Sequence, residues 1–350
     1  MYVYPDNALL QYSGRIDFED KKAPVLVFPG SSVRFRFFGS SAKLTFVSKR
    51  TGLNNYLGII VDGKEDKILL PSDGNEHTVV LASALKENIH EIEIFKRMDS
   101  CHYLTILGIK LSENAGLLAV KKKPERRIEV YGDSVSSGDV VEAVKYTGKN
   151  DPENNGEYHN AYYSYAAILA RSLNAELHNI SQGGISLMDN TGYFMEPQAI
   201  GMESIYDCVQ YNEALGEIKK WDFSKYTPHV VIVALGQNDA YPDDFMAKDF
   251  DSELSKKWRQ RYEKFILNLR SIYPQALIIC TTTVMIHDAS WDRSIANVCK
   301  KINDDKIVHF LYSKNGEKTP GHPRKSESEK MAEEIKEFID SFGSEIWKNE

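Results

Sequence analysis

Cysteine is scarce in this chain, and the four residues present, Cys101, Cys208, Cys280 and Cys299, fall in no metal-ligand spacing. Cys280 sits inside the apolar run Leu277-Ile278-Ile279-Cys280, the setting of a buried free thiol. The histidines at 159, 178, 229, 287 and 309 form no ligand pair at helical or hairpin spacing, so no metal is expected. No apolar stretch is long enough to span a membrane. The start, Met1-Tyr2-Val3-Tyr4-Pro5-Asp6, lacks the basic segment and long apolar run of a secretion signal. A cytoplasmic protein with no membrane partner is expected, although a chain stripped of its signal would read the same way. Positive charge is also short: the formal net charge is -7, which argues against nucleic acid as a partner because phosphate binding needs a basic face.

What is present belongs to a soluble globular protein, 42% hydrophobic and 27% charged. The length favours two domains. Up to about residue 112 the hydrophobic period is two. Val33-Arg34-Phe35-Arg36-Phe37 alternates cleanly, and Ala42–Val47, Leu57–Val61, Lys67–Leu70, His77–Leu81, His90–Phe95 and Leu104–Ile109 follow. Asp62-Gly63 marks a hairpin. Many short strands with turns at regular spacing predict a jelly-roll-like β-sandwich over residues 1–120, serving as a structural cap or supplying sugar-contacting loops. Lys121-Lys122-Lys123-Pro124-Glu125-Arg126-Arg127 reads as a solvated linker rather than a nuclear signal.

From 121 to 350 the period changes. Strand candidates at Ile128–Tyr131, Ala175–Ile180, Val230–Leu235, Ala276–Thr281 and Ile307–Leu311 alternate with helical patterns. The helix expected over Glu253–Tyr273 carries Leu254, Trp258, Tyr262, Phe265, Ile266 and Leu269 on one stripe. Ser326-Glu327-Ser328-Glu329 reads as a capping box before a last helix, with Met331, Ile335, Phe338 and Ile339 inward. The pattern predicts an α/β/α domain with a doubly wound parallel sheet of five strands, whose ligands bind at the carboxyl edge.

Four stretches fall at that edge. The first strand empties into Gly132-Asp133-Ser134-Val135-Ser136-Ser137-Gly138, the second into Ser181-Gln182-Gly183-Gly184, and the third into Gly236-Gln237-Asn238-Asp239. His322 lies in the rigid turn Thr319-Pro320-Gly321-His322-Pro323 before the final helix. Each has an ordinary reading alone: a turn, a loop, a helix cap, a surface histidine. Asp239 reads as a structural hydrogen-bond partner. Asn179-Ile180-Ser181, although a glycosylation sequon, lies at a core strand end.

Serine after strand one, glycine after strand two, asparagine after strand three and histidine before the last helix resemble the four blocks of the SGNH (GDSL-type) hydrolases, over residues 128 to 340. With a β-sandwich in front, the chain resembles a carbohydrate esterase of family 2, the two-domain acetyl xylan esterase type. The resemblance implies a serine carboxylic-ester hydrolase without cofactor that deacetylates xylo- or manno-saccharides. It makes Ser134 the nucleophile and His322 the general base. The oxyanion donors would be the Ser134 and Gly184 amides (Gly183 as fallback) and the Asn238 side chain. SGNH enzymes carry an aspartate three residues before the histidine, where this chain has Thr319. The expectation is a dyad, with His322 oriented by a backbone carbonyl of the Lys318–Pro320 turn; a carboxylate such as Glu317 reaching the ring would contradict it.

The long segment from Leu187 to Trp221 holds aromatics, of which Tyr193, Phe194 and Trp221 are candidates for sugar contacts; the alternative is an extra helix packed on the sheet. Two rival activities are a lipase or thioesterase for longer acyl chains and a carbohydrate-binding protein with a decayed site. The sugar, the acetylated position and the oligomeric state are left open.

Overall fold

The computed structural model describes residues 1–348. They form two compact units. One comprises Met1–Lys123 with Asn154–His159 and Cys208–Lys220, and the other Pro124–Glu153, Asn160–Asp207 and Trp221–Glu350.

The first unit is a sandwich of two antiparallel sheets. One runs Ile16–Asp17, Val25–Leu26, His102–Leu111, Ala42–Arg50, Asp73–Ala82, with Tyr2–Val3 joined to the third of these. The other runs Gly116–Leu118, Ser32–Gly39, Asn88–Lys96, Tyr56–Val61, Lys64–Leu69, with Gln11–Ser13 joined to the second. Alternation decides the faces: Val33, Phe35 and Phe37 are buried while Arg36 is exposed. Together with Leu44, Phe46, Ile92, Ile94, Leu104 and Ile106 they fill the space between the sheets. Asp62 and Gly63 both take positive φ and close the expected hairpin. Two excursions of the later sequence are held on this unit by polar contacts. Lys67 Nζ donates to Glu157 O and Arg97 Nε to His159 O. The Tyr103 hydroxyl accepts from the amides of Tyr211 and Asn212.

The second unit carries a five-stranded parallel sheet: β1 (Arg126–Gly132), β2 (Ala175–Ser181), β3 (Val230–Ala234), β4 (Leu277–Thr281) and β5 (Ile307–His309), ordered β2-β1-β3-β4-β5. Among its helices are α1 (Ser134–Ser137), α2 (Tyr165–Ser172), α3 (Glu253–Ile272), α4 (Ala289–Ile302) and α5 (Lys325–Asp340), besides further short helices and turns. Strand residues buried to 3% or less, among them Ile128, Val130, Val230, Ile232 and Ile279, pack against α2 and α5. The α3 stripe is buried from Trp258 to Leu269, but Leu254 is 41% exposed, since it lies in the helix's first turn. The last helix starts earlier than expected. Arg324, extended after Pro323, is the N-cap, and Glu327 rather than Glu329 accepts the cap amide. The segment after Leu187 forms one short helix, Met202–Ile205, and Tyr206 packs edge-on against Phe265.

Candidate functional site

Because the five strands run one way, the loops after β1, β2 and β3 share the carboxyl edge of the sheet. Asp133 caps α1 by accepting the Val135 amide, which places Ser134 as the first residue of a one-turn helix directly after β1. Ser134, Gly184, Asn238 and His322 all line one cleft of about 770 Å³. Tyr193 lines it too, stacked on Tyr241 with centroids 4.0 Å apart. Gly183, Phe194 and Trp221 are not among its lining residues. Trp221 instead packs edge-on against His178 of β2, because the chain has already turned away from the edge there. No hydrogen bond joins the Ser134 hydroxyl to the His322 ring among the described residues; bonds of this kind are often long before a substrate tightens them.

The orientation of His322 corrects the expectation of a backbone carbonyl. Its Nδ1 bonds Asp151 Oδ2 at 2.5 Å, and its amide donates to Asp151 Oδ1 at 3.0 Å. The carboxylate comes from the loop after α1, not from position 319 or 317. Arg324, fully buried, fixes it by donating from Nη2 to Asp151 Oδ1 (2.8 Å) and from Nη1 to His322 O. Gly321 makes room: a Cβ there would lie 2.6 Å from Lys149 O and 2.7 Å from Asp151 Oδ1. Burial pushes the Asp151 carboxyl up, but the bonds and charges of His322 and Arg324 outweigh it and hold it well below the usual range. An ionised Asp151 accepts the Nδ1 proton and so leaves Nε2 as the basic nitrogen. A decayed site gives no reason for this closed set of bonds.

A second polar network lies behind Ser134. Asp133 Oδ2 accepts from Gln237 Nε2 (2.6 Å) and, less closely, from Asn238 Nδ2 (3.2 Å). Asn238 Nδ2 also donates to Ile185 O at 2.9 Å, so both its hydrogens have partners. Thr283 Oγ1 donates to Gln237 Oε1 at 2.6 Å, which fixes the amide's orientation. Burial raises the Asp133 carboxyl to about 6 against the pull of the Val135 and Gln237 donors. Asp239 is likewise raised to about 6 by burial. It accepts from the amides of Leu187 and Met188 and from Thr191 Oγ1, and thereby folds the loop after β2 onto the turn after β3.

Sequence reasoning missed Asp151, Arg324, Gln237, Tyr241 and His287, a further lining residue. Gln237 stood beside a named residue, and its partner Asp133 was visible. Thr147-Gly148-Lys149-Asn150-Asp151-Pro152 carries only the signal of a turn.

Comparison with known proteins decides the family. The carbohydrate esterase 2 N-terminal family model matches residues 12–120. The structure of a family two carbohydrate esterase from Clostridium thermocellum in complex with cellohexaose matches with a TM-score of 0.78 and 30% identity, over 95% of this chain and 98% of that one. The chain belongs to carbohydrate esterase family 2. This family 2 member is also 32% identical over 343 residues to the cellulase/esterase CelE of Acetivibrio thermocellus; the match takes in 94% of the chain but 39% of that longer protein. To the acetylxylan esterase/glucomannan deacetylase of Cellvibrio japonicus it is 24% identical, over 93% of the chain and 87% of that protein.

Proposed function

We propose that this family 2 esterase removes acetyl groups from xylo- or manno-saccharides through an acyl-enzyme on Ser134. The observation that carries the reading is His322, which is bonded by Asp151 and lines one cleft with Ser134. In the first half-reaction His322 Nε2 takes the Ser134 hydroxyl proton as Oγ attacks the acetyl carbonyl carbon. The bond from that carbon to the sugar oxygen then breaks, and His322 returns the proton to the sugar alkoxide. In the second half-reaction His322 takes a proton from water, whose oxygen attacks the acetyl-serine. The bond from the acetyl carbon to Oγ then breaks, Oγ takes the proton back from His322, and acetic acid leaves with the other proton of the water. Asp151 keeps the ring in the Nδ1–H form and stabilises the imidazolium formed in each half.

Negative charge on the carbonyl oxygen is met by the amides of Ser134 and Gly184 and by the Asn238 side chain. The longer Asn238 bond, to Asp133, is the one exchanged for the oxyanion, since Asp133 keeps the Gln237 and Val135 donors. Asn238→Ala should lower kcat by about 10²–10³, the usual worth of one such donor, with folding intact. The stacked Tyr193–Tyr241 pair offers an aromatic face for a sugar ring. Support for acetylated xylan or glucomannan as substrate comes from the Cellvibrio relative, and the cellohexaose complex of the Clostridium neighbour supports a saccharide in the cleft.

The test is a chain-length series of para-nitrophenyl esters and acetylated saccharides on the full chain, with Ser134→Ala beside it. Acetate esters should be turned over fastest, and the variant should be inactive. Preference for butyrate or longer esters would replace the reading with a lipase or thioesterase; sugar affinity without turnover would replace it with a binding protein.

A further inference from the structure

A second histidine in the wall of the same cleft is paired with an aspartate. His287 lines the cleft, yet its side chain is only 3% exposed. Both ring nitrogens are bonded: Nδ1 to Met285 O at 2.7 Å and Nε2 to Asp292 Oδ2 at 2.9 Å, with the Asn315 Nδ2 donor farther from Nε2 at 3.4 Å. A carbonyl oxygen only accepts, so Nδ1 carries a proton. At the other end, Asn315 Nδ2 donates to Thr282 Oγ1, which leaves the threonine proton for Asp292 Oδ1. Asp292 is thus an acceptor on that side and faces Nε2 with its second oxygen.

The segment that His287 fixes is bonded to the segment that leads into His322. Gly316 N donates to Thr283 O, Lys318 N to Val284 O, Ile286 N to Thr319 O, and His287 N to Gly316 O. Met285 and Thr319 form a parallel bridge. Gly316 lies so close over the imidazole that a Cβ would meet the ring at 3.2 Å and the His287 carbonyl at 3.0 Å. Residues 283–287 and 316–319 therefore form one ribbon, closed at one end by the His287–Asp292 pair and continuing at the other, three residues on, into His322.

We propose that His287 is a positioning residue, held as the doubly protonated imidazolium, whose two bonds set the 283–288 wall and through the ribbon the placement of His322. This rests on His322 being the base. Burial alone would push the His287 ring down, but the bond and charge of Asp292, aided by Met285 O and the more distant Asp133, hold it above the ordinary histidine value. Asp288 is the other charged neighbour felt by the ring. Loss of the second proton leaves one donor for two acceptors, and the wall loses either its tie to Asp292 or its tie to Met285 O.

Two measurements on the full chain test this. In ¹⁵N spectra of histidine-labelled protein at neutral pH, the ring missing from His287→Gln should show two protonated nitrogens; a neutral tautomer there overturns the proposal whatever the activity. In pH profiles with para-nitrophenyl acetate, Asp292→Asn should bring the alkaline loss of kcat/KM closer to neutrality and leave the acidic limb in place. His287→Gln should lower kcat about tenfold or more with little change in KM, the mark of a misplaced base. An alkaline limb unmoved by Asp292→Asn overturns it as well. If Ser134→Ala stayed active, the acyl-enzyme reading would fail while the ¹⁵N result still stood, so the two failures are told apart.

Discussion

Two imidazoles, each paired with a carboxylate, line one cleft and differ in what the ring has left to give. His322 spends Nδ1 on Asp151 and keeps Nε2 for chemistry; its side chain is 19% exposed, beside an aspartate 30% exposed. His287 spends both nitrogens and is nearly sealed, as is Asp292 at 9%. The same two residue types therefore make a proton carrier in one place and a fixed cationic strut in the other. The number of acceptors around the ring separates them, not its distance from the cleft.

That contrast can be broken at several points. The largest effect should come from Asp151→Asn, whose amide would oppose the Nδ1–H form. A loss in kcat of up to about 10⁴ with KM nearly unchanged is expected, as for the acid of a triad; steady-state kinetics showing less than a tenfold loss would return the orienting role to the backbone. Gly321→Ala attacks the same pair sterically. Its Cβ displaces Asp151, and about 10²-fold in kcat should go, with circular dichroism unchanged.

The third variant sharpens the difference in energy rather than rate. Asp292→Asn strips a sealed ring of its counter-charge and should lower unfolding free energy by about 3 kcal/mol in urea titrations, whereas the more exposed Asp151→Asn should cost less than half of that. The pH trends should also be opposite. A histidine raised in the folded state stabilises fully below about 6.5 and loses that contribution as pH rises through its folded value, so the Asp292→Asn deficit should shrink in alkali. An aspartate lowered in the folded state stabilises above about 3.9 and loses that contribution in acid, so the Asp151→Asn deficit should shrink there.

The difference between the pairs also explains what could be read from the chain. Strand alternation such as Val33-Arg34-Phe35-Arg36-Phe37 is a local signal that sufficed for the sandwich, and apolar runs set between helical stripes did the same for the five parallel strands. The residues after strands one, two and three were legible because the sheet's direction places them on one edge whatever the loops do. Asp151 was not. It lies 171 positions from its partner in a polar turn, and nothing local marks a carboxylate that will be aimed by a buried arginine. His287 was passed over because a histidine with no partner at helical or hairpin spacing resembles any other; its partner Asp292 is five residues on, across a helix cap. Leu254 failed for the opposite reason: a periodic stripe continues into a first turn that has nothing to pack against.

The way the sandwich collects residues 154–159 and 208–220 bears on how this gene can be cut. A fragment ended near residue 123 would lack the amides that satisfy the Tyr103 hydroxyl and the carbonyls that receive Arg97 and Lys67. A fragment begun there would carry two orphaned excursions, with Tyr211 stripped of its burial. Domain shuffling should therefore move the pair as one cassette, and a β-sandwich borrowed from a relative would have to bring compatible seats for both excursions.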